Sequence, residues 1–288
     1  MDGKPAPLEP VAPTSLRSLS RMAQRGLPFA FLTCYDATTA RWLARAGVHG
    51  LLVGDTAAEV ILGLPRTIDM PLDLSIALTA GVKRGAPDTF VMADMPFMSY
   101  QAAPDDALRN AGRFLTDGLA DVVKIEADES FAPVAARMTR AGIPVCGHVG
   151  SRPQHAALTS GYVSAGRTPE DAARVIRDAV ALEQAGCVML LVEAVPDEVT
   201  SGILERTRVP LIGIGAGNAC HGQVLVLQDL LGLSDHPPRF VEPVASLGPA
   251  IAHAAAAWVD LVVQRRTGGE RYTMKDPVAP LLRERSSP

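Results

Sequence analysis

The chain has 288 residues, 48% of them hydrophobic and 20% charged, with a formal net charge of -4. That is ample apolar material for a full core, in one large domain or two small ones. Interspersed charge of slightly acidic balance excludes a nucleic-acid or anionic-membrane surface as the main partner and leaves small molecules.

The opening segment 1–14, MDGKPAPLEPVAPT, is rich in proline and has no apolar signal-peptide core, so disorder is expected there. From Phe29 onward short apolar runs alternate with helical patterns, the mark of a parallel sheet built from β-α units. The expected strands are Phe29–Tyr35, Gly50–Gly54, Thr89–Ala93, Asp121–Ile125, Pro144–His148, Val188–Val192 and Pro210–Ile214, with a weak eighth at Arg239–Val241. A helix over Ala37–Ala46 closes at Gly47. Another begins where Thr168 caps, Pro169 takes the first turn and Asp171 completes a capping box. Along it Ala172, Val175, Ile176, Ala179 and Leu182 share one face, and Gly186 ends it.

Eight strands in about 250 ordered residues predict an α/β fold, a single-domain (β/α)8 TIM barrel over 15–265, followed by a tail at 266–288. The competing architecture is a Rossmann-type domain with a small C-terminal domain. GIGAG at Gly213–Gly217 fits that poorly, because the third glycine of G-x-G-x-x-G falls at Asn218 and the segment follows a late strand. As a barrel loop, its glycines serve close approach either to a ligand or to the next helix. Cys34, Cys146, Cys187 and Cys220 form no C-x-x-C pair and sit mostly in or beside apolar runs, as buried free thiols do in a reducing cytoplasm. No apolar run is long enough to cross a bilayer, so a soluble, cytoplasmic protein is expected.

Four apolar runs end in a carboxylate: LLVGD at Asp55, FVMADM at Asp94, VVKIEA at Glu126 and LLVEA at Glu193. On parallel neighbours these tips converge on the face where barrels do chemistry, and desolvated like charges there call for a cation. Asp55 and Asp94 are the best ligands for a hard divalent ion such as Mg²⁺, with Glu126 a supporting third. Lys124 lies two residues before Glu126 and shares its side of the strand. Structural alternatives stand beside these readings: Asp55 or Asp94 as a helix cap, and Lys124–Glu126 as a neutralised pair. Glu193 has no basic neighbour in MLLVEAVP; desolvation raises its pKa and suits it to act as a general base. His148 closes the fifth strand in VCGHVG, either as a satisfied core histidine or as a hydrogen-bonding partner for a substrate oxygen. Metal, lysine and base together equip a site to form an enolate from an α-keto acid and join it to a carbon electrophile.

At these residues the chain resembles the ketopantoate hydroxymethyltransferase family, within the phosphoenolpyruvate mutase and isocitrate lyase superfamily of barrels. The similar segments include LTCYDATTARWLARAGV, LLVGDT, KRGAP, VMADMPFMSYQ, VVKIEA, AGIPVCGHVG, PQ at Pro153–Gln154, GRT, LLVEAVP and PLIGIGAGNACHGQVLVLQDLLGL, in the family's order from about Thr14 to Val262. The resemblance implies transfer of a one-carbon unit from 5,10-methylenetetrahydrofolate to 3-methyl-2-oxobutanoate, giving 2-dehydropantoate on the route to pantothenate. It further implies Mg²⁺ on Asp55 and Asp94, with Glu126 in or just behind the ligand set. Thr56 and Lys124, with the metal-binding aspartates, would hold the keto acid, His148 would contact the hydroxymethyl end, and Glu193 would take the C3 proton. A homo-oligomer, a decamer in the family, is implied as well. The chain departs from the family's usual GDSLGMVVLG, reading GDTAAEVILG, so that Thr56, Ala58 and Glu59 replace serine, glycine and methionine. It also departs around Ala127–Asp128 and Arg152, at His221 and in its C-terminal segment. Other readings are a paralogue acting on a different α-keto acid, a C–C or P–C lyase of the same superfamily, and a non-catalytic barrel.

Overall fold

A computed structural model describes residues 12–159, 161–270 and 272. Segments 1–11 and 273–288, which hold most of the N-terminal stretch expected to be disordered and most of the expected tail, lie outside the described residues. The chain divides into two compact units, one ending at Val244 and one beginning at Ala245.

The first unit is a closed barrel of eight parallel strands in sequential order. Helix α1 (Leu16–Gln24) precedes β1 (Phe29–Thr33), α2 (Ala37–Arg45), β2 (Gly50–Val53), the short α3 (Ala57–Val60) and α4 (Leu72–Gly85). There follow β3 (Phe90–Asp94), α5 (Pro104–Thr116), β4 (Val122–Glu126), α6 (Ala132–Arg140), β5 (Val145–Gly150) and the short α7 (Ala156–Thr159). Then come α8 (Pro169–Gln184), β6 (Met189–Glu193), α9 (Asp197–Arg206), β7 (Leu211–Ile214), β8 (Gly222–Leu225) and α10 (Leu227–Leu230). The second unit holds α11 (Leu247–Val263).

Seven strands form where the apolar runs predict them. The eighth does not: Arg239–Val241 lies in a turn, and the barrel closes through Gly222–Leu225, which pairs with β1 from Phe29↔Gly222 to Leu32↔Leu225. GQVL is short and follows β7 after only seven residues, without a crossover helix, so the β-α rhythm passes over it.

Alternation along the strands sends every second side chain into the lumen. Phe29, Phe31, Phe90, Met92, Met189 and Val224 belong to one interior cluster, and Leu19 of α1 joins it, fully buried. The ring centroids of Phe31 and Phe90 lie 6.1 Å apart, edge to face. Space for Phe31 comes from Gly50, where a Cβ would lie 2.2 Å from the Phe31 ring. Outward-facing residues pack instead beneath the helices: Val175, Ala179 and Leu182 of α8 share a cluster with Val145 and Leu190.

Helix ends follow their local chemistry. Asp36 caps α2 by accepting from Thr38 N and Thr39 N at 2.8 and 2.9 Å, and Gly47 (φ +83°) ends the turn. Thr168 caps α8 by accepting from Asp171 N at 3.2 Å, but the box is half built: the Asp171 carboxylate accepts from Gly166 N and pairs with Arg174. The glycines of GIGAG face protein. A Cβ on Gly215 would lie 2.7 Å from the Phe240 ring, and one on Gly217 would lie 2.0 Å from Asp197 Oδ1. All four cysteines are free and buried. Among the described residues no helix is long and apolar enough to cross a membrane.

Candidate active site

At the C-terminal ends of the strands the lumen changes character. Parallel pairing places Asp94 opposite Lys124, Glu126 opposite His148, and Gly150 opposite Glu193. Because inward positions recur every second residue, Asp94, Lys124, Glu126, His148 and Glu193 continue the rows that hold Met92, Val122, Cys146 and Leu191 lower down. Asp55 and Thr56 follow β2 after Gly54 and enter from the rim. All seven predicted residues line one cavity of about 50 Å³. A larger hollow of about 500 Å³ lies on the outside of the barrel against α8, with Arg177 and Arg206 on its wall, and contains none of them.

The contacts form a chain of charge. Lys124 Nζ lies 3.0 Å from Asp94 Oδ1 and 3.3 Å from His148 Nδ1. His148 Nε2 in turn lies 3.4 Å from Glu193 Oε2. Asp55 N donates to Asp94 Oδ2 at 3.2 Å. Burial works against the Lys124 charge, but Asp94 and Asp55 more than offset it and hold the ammonium protonated. Burial, then Lys124, push the His148 pKa well down, so its ring is neutral; with Lys124 donating to Nδ1, the ring proton is assigned to Nε2. The contacts of His148 Nε2 and Asp94 Oδ1 are close but misaligned, and neither atom makes a directed hydrogen bond although both are buried. The fold itself leaves both atoms unmatched.

Glu193 lies at the end of β6 with its side chain 21% exposed, and burial pushes its pKa up to about 7 against the opposing pull of Lys124. Two backbone features hold it there. Gly150 (φ +94°) lets its strand approach so closely that a Cβ would lie 2.5 Å from Glu193 O, and Ala194 takes a left-handed φ of +48°. Asp55 is pushed up to about 7 by burial and then by the neighbouring Asp94 charge. Glu126 is raised well above the usual carboxylate range, by burial and then by Asp55. The helix-cap alternative for Asp55 does not hold, since no side-chain cap is made at the start of α3. Lys124 pairs with Asp94 rather than with Glu126.

Sequence reasoning assigns no role to Gln154, although PQ is one of the similar segments. Its Nε2 donates to Asp55 Oδ2 at 2.9 Å and to Met95 O at 3.0 Å, and its backbone N donates to Glu126 Oε2 at 3.0 Å. Its Oε1 accepts from Tyr100 Oη at 2.8 Å and Gln101 Nε2 at 3.0 Å. Gln154 thus holds two carboxylates in place, Asp55 through its fully used side-chain amide and Glu126 through its backbone N–H. Tyr35 Oη, 2.7 Å from Thr56 Oγ1, orients that hydroxyl in the same way. Tyr35 closes the first expected strand and Gln154 lies in the connection after β5, and strand periodicity does not reveal contacts across 21 and 99 residues. His221 serves structure: its Nδ1 accepts from Leu211 N at 3.0 Å.

A family model described as ketopantoate hydroxymethyltransferase matches residues 13–268. The chain belongs to the ketopantoate hydroxymethyltransferase family. It is therefore placed among transferase enzymes. Its relatives include the 3-methyl-2-oxobutanoate hydroxymethyltransferase of Pyrobaculum aerophilum, 43% identical over 82% of this chain and 89% of the relative. That of Anaeromyxobacter sp. strain K is 42% identical over 91% of this chain and 86% of the relative. Among solved structures, a phosphonopyruvate hydrolase in complex with oxalate and Mg²⁺ aligns with a TM-score of 0.58 at 15% identity, covering 90% of this chain and 89% of that one. A 2,3-dimethylmalate lyase, a member of the PEP mutase/isocitrate lyase superfamily, aligns at 0.58 and 19% identity over 91% and 92%. At such identities the likeness is one of fold, and it agrees with the closed barrel seen for this ketopantoate hydroxymethyltransferase family member.

Proposed function

We propose that the protein transfers a hydroxymethyl group from 5,10-methylenetetrahydrofolate to 3-methyl-2-oxobutanoate, giving 2-dehydropantoate, with Glu193 as the base. The observation that carries this reading is Glu193: a carboxylate with its pKa near 7, held 3.4 Å from a neutral imidazole at the mouth of an enclosed cavity that also holds Lys124. A base poised near the working pH and aimed at a C–H bond contributes about 10²–10⁴ in rate.

The donor set fits a hard divalent ion. Asp55 and Asp94 bring carboxylate oxygens together against their own repulsion, and buried Asp94 Oδ1 makes no directed hydrogen bond. Among the described residues no group of three or more His, Cys, Asp or Glu side chains is arranged to hold a metal, so substrate and water oxygens would have to complete the shell of an ion held here. Mg²⁺ held by Asp55 and Asp94, with Glu126 behind them, would supply positive charge beside the keto oxygen.

The chain's own groups account for the rest. Lys124 and the Thr56 hydroxyl bind the acid end of the substrate, the first by charge and the second as oriented by Tyr35. Glu193 takes the proton from C3; the electron pair of that bond makes the new C–C bond to the methylene carbon. Water supplies the hydroxyl oxygen as both C–N bonds to the carrier break, and protons return to the two carrier nitrogens. His148 Nε2–H, buried and unmatched, donates to the hydroxyl formed.

Deuterium exchange at C3 of 3-methyl-2-oxobutanoate, with Mg²⁺ and without carrier, tests the base directly. Exchange by the protein and its loss in Glu193→Gln is the expected result, and an active Glu193→Gln protein would overturn the assignment. Ketopantoate formation across a panel of α-keto acids then tests the acceptor, because a methyl-sized change in a pocket discriminates by only ~1–3 kcal/mol.

A further inference from the structure

A second cavity of about 270 Å³ adjoins the first, and Pro153 lines both. Its walls include Pro65, Ile68 and Pro153, with Glu59 and Tyr162 as the polar members and Arg66 alongside. Glu59 follows Asp55 by four residues and lies within α3, so the two cavities share a short, continuous piece of chain. Tyr162 Oη donates to Glu59 Oε1 at 2.9 Å, and the Asp55 charge reaches the Tyr162 hydroxyl from the inner site. Exposed Ile61, Leu62 and Val163, at 47%, 39% and 52%, add apolar surface from the same two segments.

The two volumes suit different molecules. At roughly 10–15 Å³ of such space per water-sized sphere, the inner cavity takes a few atoms and the outer one about twenty. The carrier of a one-carbon unit is far too large for the first, which the residues proposed to hold the keto acid line, yet its reactive carbon must reach C3. The outer cavity supplies apolar walls from Pro65, Ile68 and Pro153, and a carboxylate with one oxygen held by Tyr162, a fit for an N–H donor. Arg66, with its side chain 60% exposed, lines the cavity while paired with Asp69 at 2.6 Å.

Resting on the transfer proposed above, we infer that this outer cavity holds the ring of the one-carbon carrier, a planar heterocycle of the reduced-pterin type, with Glu59 accepting from its N–H edge. Tyr162 orients the Glu59 carboxylate. Glu59 stands in GDTAAEVILG where the resembling family's usual pattern has methionine.

The test is titration of tetrahydrofolate, free of any one-carbon unit, into the full chain by calorimetry, with E59Q, E59M and Y162F alongside. The expected result is a Kd raised about tenfold or more in both Glu59 variants and several-fold in Y162F, with circular dichroism unchanged. Unchanged affinity in E59Q and E59M would overturn the assignment, as would equal affinity of the wild-type protein for p-aminobenzoylglutamate, which has the tail without the ring. C3 exchange without carrier is measured on the same samples. Glu59-dependent binding without wild-type exchange supports the cavity and overturns the base; wild-type exchange without tetrahydrofolate binding does the reverse. Loss of exchange in E59Q would show one merged site and overturn the separate cavity.

Discussion

The two ends of the barrel lumen are built from the same strands by the same alternation, and they do opposite things. Where the strands begin, inward positions hold Phe29, Phe31, Phe90 and Met189, closed off by Leu19. Where they finish, the same rows hold Asp94, Lys124, Glu126, His148 and Glu193, all buried or nearly so. The first end gains free energy by removing apolar surface from water, at about 25 cal/mol per Å². The second gives some of it up by desolvating charges, and recovers part through Lys124–Asp94 and the Gln154 amide. Stability and chemistry are thus separated along the barrel axis by only two or three residues of each strand.

The sharpest way to break this comparison is at Glu193. Glu193→Gln should lower the rate of C3 exchange by about 10²–10⁴ while leaving the thermal midpoint nearly in place, since the amide keeps the shape. A large drop in the midpoint would show that the upper end also carries the fold. The converse change is Phe31→Ala, fully inside the lower cluster, which should cost about 3–5 kcal/mol in denaturant unfolding. Activity per folded molecule should survive it, and an equal loss of both would mean the two ends are coupled.

Gln154→Met probes the border between them. It keeps the volume and removes the donors to Asp55 Oδ2 and Met95 O, and Mg²⁺ affinity measured by calorimetry should fall about 10–100-fold, as it does when partners of metal ligands are removed. Undiminished Mg²⁺ binding would show that Asp55 needs no such support. The pH dependence sharpens the comparison further. The base works deprotonated, and its pKa is raised to about 7, so kcat/KM should climb about tenfold per pH unit up to that value and then level. A profile already flat from about pH 5 would place Glu193 in an environment more polar than its burial indicates. The smallest effect is expected of Thr56→Ser, which keeps the hydroxyl that Tyr35 orients and should change KM for the keto acid by only a few-fold.

The primary structure by itself determined the β-α rhythm, seven of the eight strands, the Gly47 end of α2, the Thr168 cap of α8, and the acidic tips, because each depends on spacing within one short segment. Parallel register then obliges those tips to meet, so the gathering of Asp94, Lys124, Glu126, His148 and Glu193 is legible in the strand pattern alone. Only the tertiary structure decided which strand closes the barrel: Gly222–Leu225 is too short to signal itself, and its place is set by pairing with β1. It also decided the partners. Lys124 could reach Asp94 or Glu126, and the distance to Asp94 settled it. Gln154 and Tyr35 became part of the site through contacts 99 and 21 residues away in the chain. Periodicity records which side of a strand a residue faces, whereas hydrogen bonds between loops depend on where the closed barrel brings them.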